Sequence, residues 1–436
     1  MSLLNEKSIF TAMLQDGPFA IGADPPLSHP FSDECKNWVA SLGGDQLMKT
    51  KYRAVRNQIF DFLGIATFDE ILVLIHDQRL RSRARTRSRQ LLANMFGLCG
   101  SGTEIKRYLH EYANTADNVI NSLRNKVLAP YSANIEMTNE IETITEPVDL
   151  LLTLFDKSYH RKARFEAKRK LVLMNLAGSI DQRERETDIE NQFAGFLDFL
   201  NRYVWSPDLK IGDLKISYLH STHRSNDFSC ASVRVISERE KKVLQLKPGE
   251  KLTLIKRRRF NAGGREVPVY VTIRKKPPAA KVLKLLRKNE KNPAVAVDDE
   301  LGLMGVLNSV GDVKGFLRHL TASGIRADSF MTLEDISDTL TGGEYRGKAT
   351  GSSDKTPMLK FFARLGGMRV EFIIHTNRSY LNYIYQREVA HDEYEVKRIF
   401  DSGVARFLFP PDIYHLDLDE IRESQLKLFR KIIEEV

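Results

Sequence analysis

Apolar residues recur at three- and four-residue spacing through Tyr52–Leu63, Phe68–Ile75, Gln90–Phe96 and Glu104–Leu128, a period that predicts amphipathic helices. Cys99-Gly100-Ser101-Gly102 interrupts this run, and the acidic, Thr-rich segment Glu136–Glu146 marks a boundary. Pro147–Gly178 and Thr187–Trp205 predict further helices, whereas residues 1–32, with Gly17-Pro18, Pro25-Pro26 and Pro30, read as an irregular arm. After Ser206-Pro207 the period changes. Leu214–Leu219, Ala231–Val235, Leu252–Arg259 and Val267–Ile273 are short runs rich in β-branched residues. Lys247-Pro248-Gly249 and Asn261-Ala262-Gly263-Gly264 supply hairpin turns between them. The last third alternates: a helix over Ala279–Lys288, a strand around Ala294–Val297 and a helix over Asp312–Thr321. Strands Met358–Leu365 and Arg369–Ile374 then meet at Gly366-Gly367, and a helix covers Tyr380–Phe400. The pattern predicts an α+β chain whose mostly helical N-terminal half precedes a mixed sheet flanked by helices. Its expected parts are a helical region over 1–145, a helical connector over 146–205 and an α/β domain over 206–436 with a β-rich lead-in.

Composition changes this picture little. The 436 residues are 42% hydrophobic and 28% charged, an ordinary globular balance with ample material for a core. No run approaches the roughly 20 apolar residues of a membrane span, so no membrane partner is expected. The start, MSLLNEKSIF, lacks the basic and apolar segments of a secretory signal. Cys35, Cys99 and Cys230 form no CxxC pair, which suggests neither a zinc site nor a disulfide framework and fits a reduced, cytoplasmic setting. Charge is more informative. The net charge is +9, yet residues 251–290 hold thirteen Lys or Arg against Glu266 and Glu290, a surplus of eleven in forty residues. Phosphate-bearing partners suit such a stretch.

Several residues there are placed for chemistry. Arg274 and Lys276 sit two apart at the end of a predicted strand, on one face, with Lys284 on the next helix. Asp298-Asp299-Glu300 follows an apolar run and precedes Gly302. Glu371 interrupts the apolar strand Val370–Ile374, where a carboxylate is costly unless paired or liganded. His391 and Tyr394 share a helix face at i, i+3. Two acidic centres among cations are what phosphoryl and nucleotidyl transfer require: carboxylates for a Mg²⁺ ion, Arg and Lys for the phosphates. Each residue also has a plain structural role open to it. The cations can form a solvated basic face, Asp298 or Asp299 an N-cap, and His391 and Tyr394 a packed pair.

The order of these residues resembles the synthetase domain of RelA/SpoT-type pyrophosphokinases. That family has R-x-K with a Lys ten residues after the Arg, then D-x-x-G-[IL]-R, a Tyr-bearing loop, V-E-x-Q-I-x-T, and H-x-x-Y. Here the series reads Arg274-Lys275-Lys276 with Lys284, Asp299-Glu300-Leu301-Gly302-Leu303, Tyr345, Val370-Glu371-Phe372-Ile373-Ile374-His375-Thr376, and His391-Asp392-Glu393-Tyr394. The family's Arg falls on Met304, its Gln on Ile373 and the Ser of its first motif on Ala280, and the loop before Tyr345 lacks the usual Asn-Gly. The match covers about residues 267–400. It implies a nucleotidyltransferase-like mixed sheet and a Mg²⁺-dependent pyrophosphokinase that uses ATP as substrate. By resemblance Asp299 holds the metal, and Glu371 is base toward the acceptor hydroxyl or helps with the metal. Arg274, Lys276, Lys284 and His391 are nucleotide-binding, and Tyr345 stacks on the acceptor base. The acceptor is GDP, GTP or an RNA 3′ end. A catalytically inactive nucleotide- or RNA-binding regulator on the same fold is the alternative.

Two further features invite partners. Arg79, Arg81, Arg83, Arg85, Arg87 and Arg89 alternate strictly; on a strand all six would face one side as a phosphate-tracking stripe, and on a helix they would spread around the axis. Nucleic-acid contact through Arg79–Arg89 and through 251–290 is expected, with an exposed basic helix as the plain alternative for the arginines. His76-Asp77 invites comparison with an upstream metal-dependent hydrolase domain, but the nearest upstream histidine, His29, is too far to complete that site.

Overall fold

The computed structural model describes residues 44–131, 135–206, 215–341 and 356–435. The chain divides into two compact units, one of residues up to His110 with Asn139–Leu171, the other of Glu111–Thr138 with Val172–Val436.

Helices come first: α1 (Gln46–Leu63), α2 (Asp69–His76), α3 (Gln78–Phe96), α4 (Gly102–Lys126), α5 (Asn139–Thr143), α6 (Pro147–Phe155), α7 (Arg161–Thr187) and α8 (Ile189–Phe199). In the first unit Leu63, Ile71, Leu74, Ala84, Val148 and Leu152 form the core, so α1, α2, α3 and α6 pack together. Asp45 and Asp77 each cap a helix by accepting two backbone N–H bonds, which satisfies donors that a helix start leaves free. Asp77 is therefore a cap. The segment Pro147–Gly178, expected as one helix, is two, α6 and α7.

The alternating arginines lie on α3. At 100° per residue they fall into two ladders of spacing four. Arg79, Arg83 and Arg87 are exposed. Arg85 pairs with Asp149 at 2.8 Å, Arg89 pairs with Glu146, and Arg81 donates to the Leu74 and Ile75 carbonyls. The single six-residue stripe of a strand does not form.

The second unit is built on a mixed eight-stranded sheet of β1 (Lys215–His223), β2 (Cys230–Ile236), β3 (Glu250–Ala262), β4 (Arg265–Lys275), β5 (Leu301–Leu307), β6 (Met331–Asp338), β7 (Leu359–Leu365) and β8 (Met368–Thr376). Their order is β2-β1-β3-β4-β5-β8-β7-β6; β5 and β8 run parallel and the other neighbours antiparallel. Gly263-Gly264 and Gly366-Gly367 close two hairpins with positive φ at both glycines, the backbone of a two-residue turn matched to strand twist. Between and after the strands come α9 (Glu238–Val243), α10 (Pro278–Lys288), α11 (Ala294–Val297), α12 (Val310–Arg326), α13 (Asn377–Tyr385), α14 (His391–Asp401), α15 (Val404–Leu408), α16 (Pro411–Tyr414) and α17 (Leu418–Glu435).

The sheet separates two environments. On one face Leu301, Leu303, Phe361, Val370, Phe372 and Ile374 pack under α8 and α12, with Trp205 stacked on Phe316. Period-two alternation sends the intervening residues, Gly302, Met304, Glu371 and Ile373, to the other face. There α13 contributes Tyr380 and Leu381 to a smaller cluster with Leu219, Ile255 and Val306.

Three expectations are corrected. Ala294–Val297 is a helical turn, not a strand; four apolar residues do not distinguish the two, and Pro293 leads directly into the turn. The acids therefore precede the strand β5 instead of ending one. Tyr380–Phe400 is two helices, α13 and α14, broken at 386–390 where Glu388 takes φ 65°. β6 and α17 had no expected counterpart.

Candidate active site

The register of the central strands assembles the site. Arg274 on β4 lies opposite Gly302 on β5, which lies opposite Glu371 on β8. Gly302 has no Cβ; one built there would meet Arg274 Nε at 3.0 Å and the Glu371 carbonyl oxygen at 3.6 Å. The arginine thus reaches across the middle strand and donates from Nη2 to Glu371 Oε2 at 2.7 Å. From β7, Lys360 Nζ reaches Glu371 Oε1 at 3.0 Å.

A second acidic centre faces the same cavity. Asp299 follows α11 and receives Lys276 Nζ on Oδ2 at 2.7 Å and Lys284 Nζ on Oδ1 at 2.6 Å. Lys284 stands on α10 and donates also to the Val295 carbonyl, tying α10 to α11. Arg369 donates from Nη1 to the Asp298 carbonyl at 3.0 Å while pairing with Glu334 and Asp335, and its guanidinium lies 3.7 Å from the Phe362 ring centre. Behind the loop is a buried ion-pair set. Lys281 contacts Glu300 at 2.8 Å and Glu184, and both Lys281 and Glu300 are shut away from solvent.

The third wall comes from α13 and α14. The Tyr383 and His391 rings stack at 5.2 Å, and Arg287 pairs with Glu395 at 2.7 Å. Tyr394 and Arg398 complete this side, the guanidinium 5.0 Å from the ring centre. The cavity between these walls holds about 430 Å³. Eight Lys or Arg and five Asp or Glu line it, a surplus of three positive charges.

Burial opposes the charge on Asp299, but Lys276 and Lys284 outweigh it and hold the carboxyl below the ordinary range. Burial opposes the Glu371 charge too, and Lys360, Lys276 and Arg274 reverse it. Lys276 therefore acts on both acids. Burial pushes the Lys276 and Lys284 ammonium groups down against the pull of Asp299. It also lowers His391 and raises the Tyr383 hydroxyl to about 12.

The residues expected from the sequence are thus brought together: Arg274, Lys276, Lys284, Asp299, Glu371, His391 and Tyr394 all line this cavity. Tyr345 lies outside the described residues. Met304 does not enter the cavity; it packs with Val306, Tyr380 and Leu381, whereas Ile373 does line it. Lys360, Arg287, Arg369, Tyr383, Glu395 and Arg398 were not anticipated. Lys360 carried a signal, a charge inside the apolar strand 358–365 like that of Glu371 in its own, and Arg287 lay in the basic stretch 251–290.

Asp299 and Glu371 offer oxygen donors of the kind Mg²⁺ takes, and each is engaged by two cations. Among the described residues no group of three or more His, Cys, Asp or Glu is placed to hold a metal ion. Nor is any helix there long and apolar enough to cross a membrane. No protein-family model, curated protein or solved structure matches the chain.

Proposed function

We propose that the cavity binds ATP and transfers its terminal pyrophosphate to a ribose 3′-hydroxyl, on GDP, GTP or an RNA 3′ end, in a nucleotidyltransferase-like site. The observation that carries this reading is the meeting of Asp299 and Glu371 around Lys276 in one basic-walled cavity. Arg274, Lys276, Lys284 and Lys360 grip the phosphates. The acceptor oxygen attacks the β-phosphorus, the bond from that phosphorus to the oxygen bridging it to the α-phosphate breaks, and AMP leaves with the oxygen. The hydroxyl proton passes to Glu371. A Mg²⁺ ion held by Asp299 and Glu371 would supply neutralisation of the phosphate oxygens. Tyr383, Tyr394 and His391 offer ring faces to a nucleoside, and Tyr345 is assigned to the acceptor base by resemblance alone. Contact with RNA draws on Arg79, Arg83 and Arg87 and on exposed Lys256, Arg259 and Arg265.

A catalytically inactive nucleotide- or RNA-binding regulator is the second reading. It is favoured by the closure of both carboxylates in ion pairs and by Ile373 at the family's glutamine position. Incubation with γ-labelled ATP, Mg²⁺ and either GDP, GTP or bulk tRNA separates the two. Label on an acceptor, lost in Asp299→Ala/Glu371→Ala, is the expected result; binding without transfer would leave the regulator.

A further inference from the structure

Of the five carboxylates that line the cavity, three, Asp299, Glu371 and Glu395, each have two cations near them. Asp299 has Lys276 and Lys284 at 2.7 and 2.6 Å. Glu371 has Arg274 and Lys360 at 2.7 and 3.0 Å. Glu395 has Arg287 at 2.7 Å and Arg398 at 3.8 Å. Asp299 and Glu371 are nearly closed to solvent, with side chains 19% and 7% exposed, so a solvated metal ion meets ammonium and guanidinium groups before it meets oxygen. A polyanion meets the reverse: at these three centres two cations face one carboxylate, one of them in excess, within a lining of eight Lys or Arg against five Asp or Glu.

We propose that the cavity is a self-neutralised polyphosphate receptor, in which Asp299 and Glu371 occupy the phosphate-binding cations until a polyphosphate displaces them, so that the polyphosphate binds without metal and frees the carboxylates to take one. This rests on the proposed function for its ligand class and adds an order of binding. Asp299 and Glu371 act here as internal competitors of the ligand. Removing one of their charges frees the cations it holds and strengthens metal-free binding.

Inorganic tripolyphosphate and ATP are titrated calorimetrically into the full chain in EDTA, for the wild type, Asp299→Asn and Glu371→Gln. The receptor predicts measurable binding to the wild type and affinity about tenfold tighter in at least one folded variant, the scale of one competing half-buried ion pair. Circular dichroism establishes which variants fold, and having two keeps the test decisive if one does not. ATP binding more tightly than tripolyphosphate places the nucleoside in the cavity; equal affinities make the polyphosphate the whole ligand. Separately, Mn²⁺ alone, followed by its electron paramagnetic resonance, binds Lys276→Met/Lys284→Met and not the wild type. Tripolyphosphate binding that weakens or stays the same in both carboxylate variants, or Mn²⁺ binding to the wild type alone, overturns the receptor while leaving a polyphosphate site standing. Absence of tripolyphosphate and ATP binding in EDTA from every variant overturns the receptor; absence of ATP binding with Mg²⁺ as well overturns the proposed function with it.

Discussion

Lys281→Met tests the support behind the acidic loop. Lys281 and Glu300 are fully buried and 2.8 Å apart, with Glu184 as the lysine's second partner. Glu300 Oε2 already lacks a hydrogen-bond partner. Removing one member of a buried pair costs about 3–5 kcal/mol, because the remaining charge stays out of water. After Lys281→Met the Glu300 carboxylate keeps only Lys275, 3.8 Å away and itself engaged with Glu190. The expected loss is therefore about 3 kcal/mol. Glu300→Gln leaves Lys281 its direct contact with Glu184, so its cost is smaller, about 1–2 kcal/mol by the same reasoning. Urea unfolding followed by the fluorescence of buried Trp205, in a Trp38→Phe background, reads the unit that holds the sheet. A loss below about 1 kcal/mol for Lys281→Met, or a larger loss for Glu300→Gln, would refute the claim that this pair is a buried charge contact with unequal alternatives.

Gly302→Val places carbon where Arg274 crosses β5, with the Cβ 3.0 Å from Nε. Overpacking of this kind costs about 1–3 kcal/mol, and tripolyphosphate affinity falls as Arg274 is displaced; unchanged affinity in calorimetry contradicts the crossing. Glu393 joins α14 to α17. Burial opposes its charge, but Arg430, Lys397 and the Glu388 N–H hold the carboxyl at about 2 against an ordinary 4.5. A depressed carboxyl stabilises the fold above its unfolded value and loses that contribution as pH falls from about 4.5 towards 2. Glu393→Gln accordingly costs about 2–3 kcal/mol at pH 7 and flattens the acid limb, which urea midpoints at pH 7 and pH 3 measure.

Local signals were readable where local physics decides. The hairpin glycines 263–264 and 366–367 stand out because two consecutive positive φ values suit glycine. Glu371 stood out because a lone acid in an apolar strand needs a partner. The residues 294–297 misled because four apolar residues satisfy either period. The α3 arginines left two arrangements open, and the helix turns their strict alternation into two ladders, with Arg85 and Arg89 of one taken up by Asp149 and Glu146.

The sequence by itself determined the helical first half, the strand-rich second half and the charged residues that come to line the cavity, since periodicity and residue type are local properties. Only the tertiary structure decided what each charge faces. The parallel pairing of β5 with β8 brings Gly302 beside Glu371 and opens the path for Arg274; strand register from β7 delivers Lys360; α10 turns Lys284 to the cavity and Lys281 to Glu300. Those partnerships join residues far apart in the chain, and no local period encodes them. They arise when the sheet closes, because a buried charge is tolerated only where packing supplies its counterpart.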